Sequence, residues 1–143
     1  MGEKTTSMRS IFLDTAFAIA LASQRDTYHD RAGIMLEEIK RERTSVVTTQ
    51  AILIEIGDAF AKPALRPIAA GFIERLEKDS SVEVVPLSDE LFQQGLALYR
   101  GRPDKAWGLT DCISFIVMQG RGITDALTAD RHFEQAGFNA LLK

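Results

Sequence analysis

The chain has 143 residues and a mass of 15.8 kDa, which is the size of one domain and enough to bury about 68–70% of its extended surface without a metal or disulfide staple. With 45% hydrophobic and 26% charged residues and a mean hydropathy of −0.04, it is not a disordered tail, a collagen-like chain or a coiled coil. A formal charge of −3 excludes a globally attractive field for nucleic acid, so such a partner must be held by a local basic patch or through bound cations.

Met1-Gly2-Glu3-Lys4-Thr5-Thr6 loosely matches a myristoylation pattern, but a disordered leader over residues 1–8, with Met8 as an alternative start, is the expectation. No apolar signal-peptide core follows it. The domain is expected to span residues 9–142. Ser10-Ile11-Phe12-Leu13 reads as a buried strand ended by Asp14. Ala32, Met35, Leu36 and Ile39 trace one face of a helix whose other face is charged, with Lys40, Arg41 and Arg43 at its wet end. Ser45–Thr48 is a second strand, and a helix follows from Thr49 to Ala61, before Pro63. Leu65, Ile68, Ala69, Phe72, Ile73 and Leu76 form an amphipathic stripe. Val82–Val85 is a third strand closed by Pro86, and Ser88 caps a helix with Leu91, Leu98 and Tyr99 on its inner face.

Residues Gly101 to Gly108 form a polar loop. Thr110 is expected to cap a buried helix from Asp111 to Gln119. Cys112–Gly120, like the other uncharged apolar stretches of the chain, is far short of the ~20 residues of a membrane span. Ala126–Thr128 is a fourth strand, Arg131–Gln135 a short helix, and Phe138–Leu142 a last edge strand. Strands alternating with helices imply a parallel sheet covered on both faces. The expectation is a three-layer α/β/α domain with four to five strands. One cysteine precludes an internal disulfide and fits a reducing cytoplasm. Cys112, inside an apolar helix, reads as a structural thiol and not a nucleophile.

Four carboxylates stand out by position. Asp14 ends the first strand, and Asp130 lies just past the fourth; ligands of open parallel sheets bind at the carboxyl ends of strands. Glu55 interrupts the apolar run Ala51–Ile56, where an ionised group needs a cation or donors. Asp111 sits in the first turn of the most apolar helix, where the helix dipole favours its charge. Each has a structural alternative: Asp14 and Asp130 as helix caps, Glu55 paired with an arginine, Asp111 as a dipole partner. Two bare carboxylates 4 Å apart repel by ~4 kcal/mol at an effective dielectric of about 20. A cluster of four therefore invites a hard divalent cation such as Mg²⁺ or Mn²⁺. Asp125 competes with Asp130, but the two are about 16 Å apart along an extended strand, so only one can belong, and Asp130 is on the carboxyl side. Asp58 reads as solvated or capping.

Phe12-Leu13-Asp14-Thr15, Glu55 after the second strand, Leu109-Thr110-Asp111-Cys112-Ile113-Ser114-Phe115 and Ala126-Leu127-Thr128-Ala129-Asp130-Arg131-His132-Phe133 together resemble a PIN domain, nearest to the VapC-type toxin-like ribonucleases. The third and fourth segments are specific as a pair, and the resemblance runs from about Arg9 to Leu142. It implies a five-stranded parallel sheet and an acidic site of Asp14, Glu55, Asp111 and Asp130 supported by Thr15 or Ser114. It also implies Mg²⁺- or Mn²⁺-dependent hydrolysis of RNA, a homodimer and, for a toxin, an inhibitory antitoxin. Arg100, Arg102 and Lys105, in and before the loop leading to Asp111, are candidate RNA contacts, with a solvated loop compensated by Asp104 as the alternative. Trp107 either stacks on a base or packs.

Competing readings are weaker. A metal-free ribonuclease would use His29 and His132, but neither has an evident partner in sequence and four placed acids go unexplained. A phosphorylated-aspartate receiver needs a lysine where Thr128-Ala129-Asp130 stands, and a haloacid-dehalogenase phosphatase needs Asp-x-Asp where Asp14-Thr15-Ala16 stands. A catalytically weak PIN-fold module binding RNA or protein is the remaining alternative.

Overall fold

The computed structural model describes residues 9–143; the expected leader and the lipidation pattern lie outside them. The elements follow in the order β1 (Ser10–Leu13), α1 (Thr15–Ala22), α2 (His29–Glu42), β2 (Ser45–Thr49), α3 (Gln50–Ala59), α4 (Arg66–Lys78), β3 (Val82–Val85), α5 (Asp89–Gly101), α6 (Leu109–Arg121), β4 (Asp125–Leu127), α7 (Arg131–Gln135) and β5 (Asn139–Ala140). The sheet runs β3-β2-β1-β4-β5, and each neighbouring pair is parallel. This is the three-layer α/β/α architecture with the full five strands. Consecutive crossovers leave β1 towards β2 on one side and return to β4 on the other, so β1 is the point where strand order reverses. In open parallel sheets that point, at the carboxyl ends of the strands, is where ligands bind.

The sheet core is built from β-branched and aromatic residues buried on both faces, as parallel sheets require. Ile11, Phe12, Ala126 and Leu127 are fully buried, with Val46 and Val47 nearly so. Phe115 of α6 stands edge-on to Phe133 of α7 at 5.0 Å and to Trp107 at 5.0 Å, and tilts against Phe138 at 5.6 Å. This aromatic cluster fixes α6 and α7 relative to each other at the carboxyl end of β4.

Several expectations shift. Helix α1 has apolar residues all round (Thr15–Ala22), so it offers no polar stripe for periodicity to detect. Thr110 does not cap α6: the helix starts at Leu109 with Gly108 as its cap residue, because the Asp111 carboxylate reaches back to accept the Gly108 N–H at 3.1 Å. Tyr99 is exposed and not on the inner face of α5. Gly95 faces α6 instead, where an added Cβ would lie 2.6 Å from Ile113 Cγ1. Ile68 also leaves its expected buried stripe and is exposed. The last strand shortens to two residues, since Phe138 turns into the aromatic cluster. Its hydrogen bonds nevertheless continue, with Leu141 N–H donating to Ala126 O. Ser88 caps α5 as expected, accepting from Leu91 N.

Candidate metal centre

Asp14 directly follows β1 and precedes α1, yet its side chain caps nothing. Its Oδ2 accepts a 2.7 Å hydrogen bond from the Thr128 hydroxyl at the end of β4, and only 6% of the residue is exposed. The same hydroxyl accepts from Asp130 N–H at 3.0 Å, so Thr128 joins the ends of β1 and β4 and sets where Asp130 begins. Glu55, in the middle of α3, has no arginine partner among the described ion pairs; the Thr15 hydroxyl donates to its Oε1. Asp130 does cap α7, accepting His132 N–H at 2.9 Å, while its carboxylate also faces the cluster. Asp111, Asp130 and His132 each offer an atom within 4.8 Å of the others.

The acids also feel one another's charge. Burial pushes the Asp14 carboxyl up to about 7, against the Thr128 hydrogen bond, with the charges of Glu55 and Asp111 adding to the rise. Glu55 is also raised, first by burial and then, against the Thr15 bond, by Asp111, Asp130 and Asp58. Charges that raise one another in this way are unfavourable unless a proton or a cation intervenes. Oxygen donors clustered under mutual repulsion suit a hard divalent ion, and Asp14, Glu55, Asp111 and Asp130 are the residues that could hold one.

The other candidates sort out by geometry. Ser114 is fully buried and donates to Thr110 O in its own helix, whereas Thr15 bonds an acid directly. Thr128 was legible only as a strand residue. His132 does have partners, its Nδ1 lying 3.0 Å from Asp111 Oδ2 and 3.5 Å from Asp130 Oδ1. Asp125 is at the other end of β4, bound to Asn139 and Arg9, and Asp58 is exposed. His29 turns its Nδ1 to Ala20 O at 2.8 Å. Cys112 is buried with its thiol pushed up by burial and by Asp111. Trp107 packs: it is buried, and its Nε1 donates to Gln135.

Of the basic residues, Arg100 is exposed in the last turn of α5 and Lys105 is half-buried in the loop running to α6. Arg102 makes two 3.0 Å bonds to Asp104 and lies 5.0 Å from the Trp107 ring centre. Elsewhere, an apolar groove of about 810 Å³ opens between α1, α2 and α4, lined by Phe17, Leu36, Phe60 and Phe72 among others, with Lys40, Arg43, Arg75 and Asp79 as its charged residues.

Among solved structures, VapC20 of Mycobacterium tuberculosis, described as a toxin that cleaves the sarcin–ricin loop, matches with a TM-score of 0.76 at 25% identity, over 90% of this chain and 95% of its own. No curated protein sequence matches. The sequence model of the PIN domain matches residues 11–139, which is most of the chain. The chain therefore belongs to the PIN domain family.

Proposed function

We propose that this protein is a divalent-metal-dependent ribonuclease, the toxin of a toxin–antitoxin pair. What supports this reading is that Asp111, Asp130 and His132 offer atoms within 4.8 Å of one another, while the charges of Glu55 and Asp111 add to the burial that pushes the Asp14 carboxyl up to about 7. The likeness to VapC20, an RNA-cleaving toxin, supports RNA as the substrate class.

When bound, Mg²⁺ or Mn²⁺ supplies a Lewis acid for the scissile phosphate and a water of lowered pKa. The protein's own part is placement. Thr128 and Thr15 orient the carboxylates of Asp14 and Glu55, and the Gly108 N–H steadies Asp111. The aromatic cluster beneath α6 and α7 keeps Asp111 and Asp130 from drifting apart. Arg100 and Lys105 stand on the approach to α6, where they meet the backbone of an incoming strand, and Arg102 supports the same loop through Asp104.

Asp14→Asn and Asp111→Asn should each reduce Mn²⁺-stimulated RNA cleavage to background while circular dichroism shows an unchanged fold. Excess EDTA should do the same to the parent. Cleavage that persists in either condition refutes the metal-dependent reading, and metal binding without cleavage of any RNA leaves the binding-module reading.

For an antitoxin, the groove between α1, α2 and α4 offers an apolar lining and mostly basic charged residues, suited to an amphipathic helix with acidic flanks. A homodimer acting in the cytoplasm completes the proposal. Among the described residues no helix is long and apolar enough to cross a membrane.

A further inference from the structure

The mechanism above gives His132 no task, yet its ring sits among the acids. Its Nδ1 is 3.0 Å from Asp111 Oδ2 and 3.5 Å from Asp130 Oδ1. The ring is held there from two directions. The His132 N–H donates to Asp130 Oδ1, and Phe133, the next residue, is fully buried edge-on to Phe115. The side chain keeps 22% exposure, so a solvated ion can reach it.

Two carboxylate oxygens, one from the first turn of α6 and one from the cap of α7, therefore converge on one imidazole nitrogen. A single N–H at that nitrogen satisfies one acceptor well and the other poorly. A cation in the same place would be met by both oxygens and, once the Nδ1 proton has passed to solvent and the ring carries its proton on Nε2, by the nitrogen lone pair.

We propose that His132 is a nitrogen ligand of the divalent-metal site, through Nδ1 beside Asp111 and Asp130, and that it biases this site towards first-row transition ions over Mg²⁺. The proposal rests on the metal reading of the preceding subsection. Its chemistry is that imidazole suits transition ions, while Mg²⁺ takes oxygen donors and keeps much of its water.

The test uses the full chain. Pulsed electron paramagnetic resonance of the Mn²⁺-loaded protein should show a directly bound nitrogen, and the signal should vanish in His132→Gln although Mn²⁺ still binds. In calorimetry, His132→Gln should weaken Co²⁺ binding by about tenfold or more, the scale on which metal-site partners act. Mg²⁺ affinity should change by less than about twofold, because that ion gains little from nitrogen. Mn²⁺ bound without nitrogen coupling in the parent overturns the proposal even if His132→Gln fails to fold. Equal loss of both ions in the variant also overturns it, leaving His132 a structural clamp. Nitrogen-free Mn²⁺ binding that disappears in Asp111→Asn removes His132 alone and leaves the metal reading standing. A parent protein that takes up no Mn²⁺ overturns both.

Discussion

At the scale of single residues, the centre is held together by hydroxyls that spend themselves on carboxylates. Thr128 donates to Asp14 across 114 residues of sequence, and Thr15 donates to Glu55. These bonds lower the cost of charge but do not cancel it, since burial still leaves the Asp14 carboxyl at about 7 against 3.8 in the unfolded chain. The folded protein thus holds a proton that the unfolded chain releases. The stabilisation from protonated Asp14 is complete below about pH 4, is lost as pH climbs through about 7, and stays lost beyond it. A shift of this size corresponds to about 4 kcal/mol, or a melting temperature lower by on the order of 10 °C. Calorimetry in EDTA should show the parent losing stability between about pH 4 and pH 7, with Asp14→Asn losing markedly less. Adding Mn²⁺ at the alkaline end should restore the parent and not the variant, because an ion relieves the same repulsion that a proton does. Equal pH slopes for the two proteins would show that Asp14 is not the titrating group.

At the scale of elements, the position of α6 matters most, because it carries Asp111 and buries Phe115 in the aromatic cluster. It lies close against α5 at Gly95, where a Cβ would meet Ile113 Cγ1 at 2.6 Å and Ile113 Cα at 3.4 Å. Cγ1 of a β-branched residue is held to one χ1 rotamer in a helix, and the Ile113 backbone lies just behind it, so Gly95→Ala must displace α6. Overpacking of this kind costs about 1–3 kcal/mol, against a helix-propensity gain of at most about 1 kcal/mol. Urea denaturation should therefore show a net loss of stability, and Mn²⁺ titration a weaker site. Adding Ile113→Ala should recover part of the Gly95→Ala loss as a non-additive coupling. The same packing explains what periodicity could and could not convey. Strands such as Ser10–Leu13 and Val82–Val85 were readable because a short apolar run met Asp14 or Pro86. Helix α1, apolar on every side, had no contrast to read, and Tyr99 fell on the wrong face because Gly95, lacking a side chain, is invisible to a hydrophobic count. The acids were legible because each ends a strand, interrupts an apolar run or opens a helix. Thr128 and His132 were not, because their roles depend on which strand end or helix turn comes to meet them, and that is a property of topology.

At the scale of the whole molecule, the strand order β3-β2-β1-β4-β5 brings acids that are far apart in the chain to the same sheet end, where Asp14 after β1 is joined to Thr128 after β4. The molecule as a whole is also negative, at −3. A polyanionic substrate is therefore repelled at long range, and on the metal-dependent reading it is drawn in by divalent ions and by the cations nearest the acids. Arg102 is already committed to Asp104, which leaves Arg100 and Lys105 as the side chains with charge to offer a phosphate on that approach. For single-stranded RNA each neutralised phosphate contributes a slope of about −0.7 to the dependence of log affinity on log salt. Replacing both Arg100 and Lys105 by alanine should raise KM for RNA several-fold and flatten the salt slope by about 1.4, with kcat nearly unchanged because neither residue holds the reacting groups. Arg102→Ala should act differently. It releases Asp104 and uncovers Trp107, so its effect should appear in thermal stability and loop protection from proteolysis more than in the salt slope. Cleavage rates measured across a KCl series at fixed Mn²⁺ separate these outcomes, and a salt slope identical in the parent and the Arg100/Lys105 double variant would place the RNA on another face of the molecule.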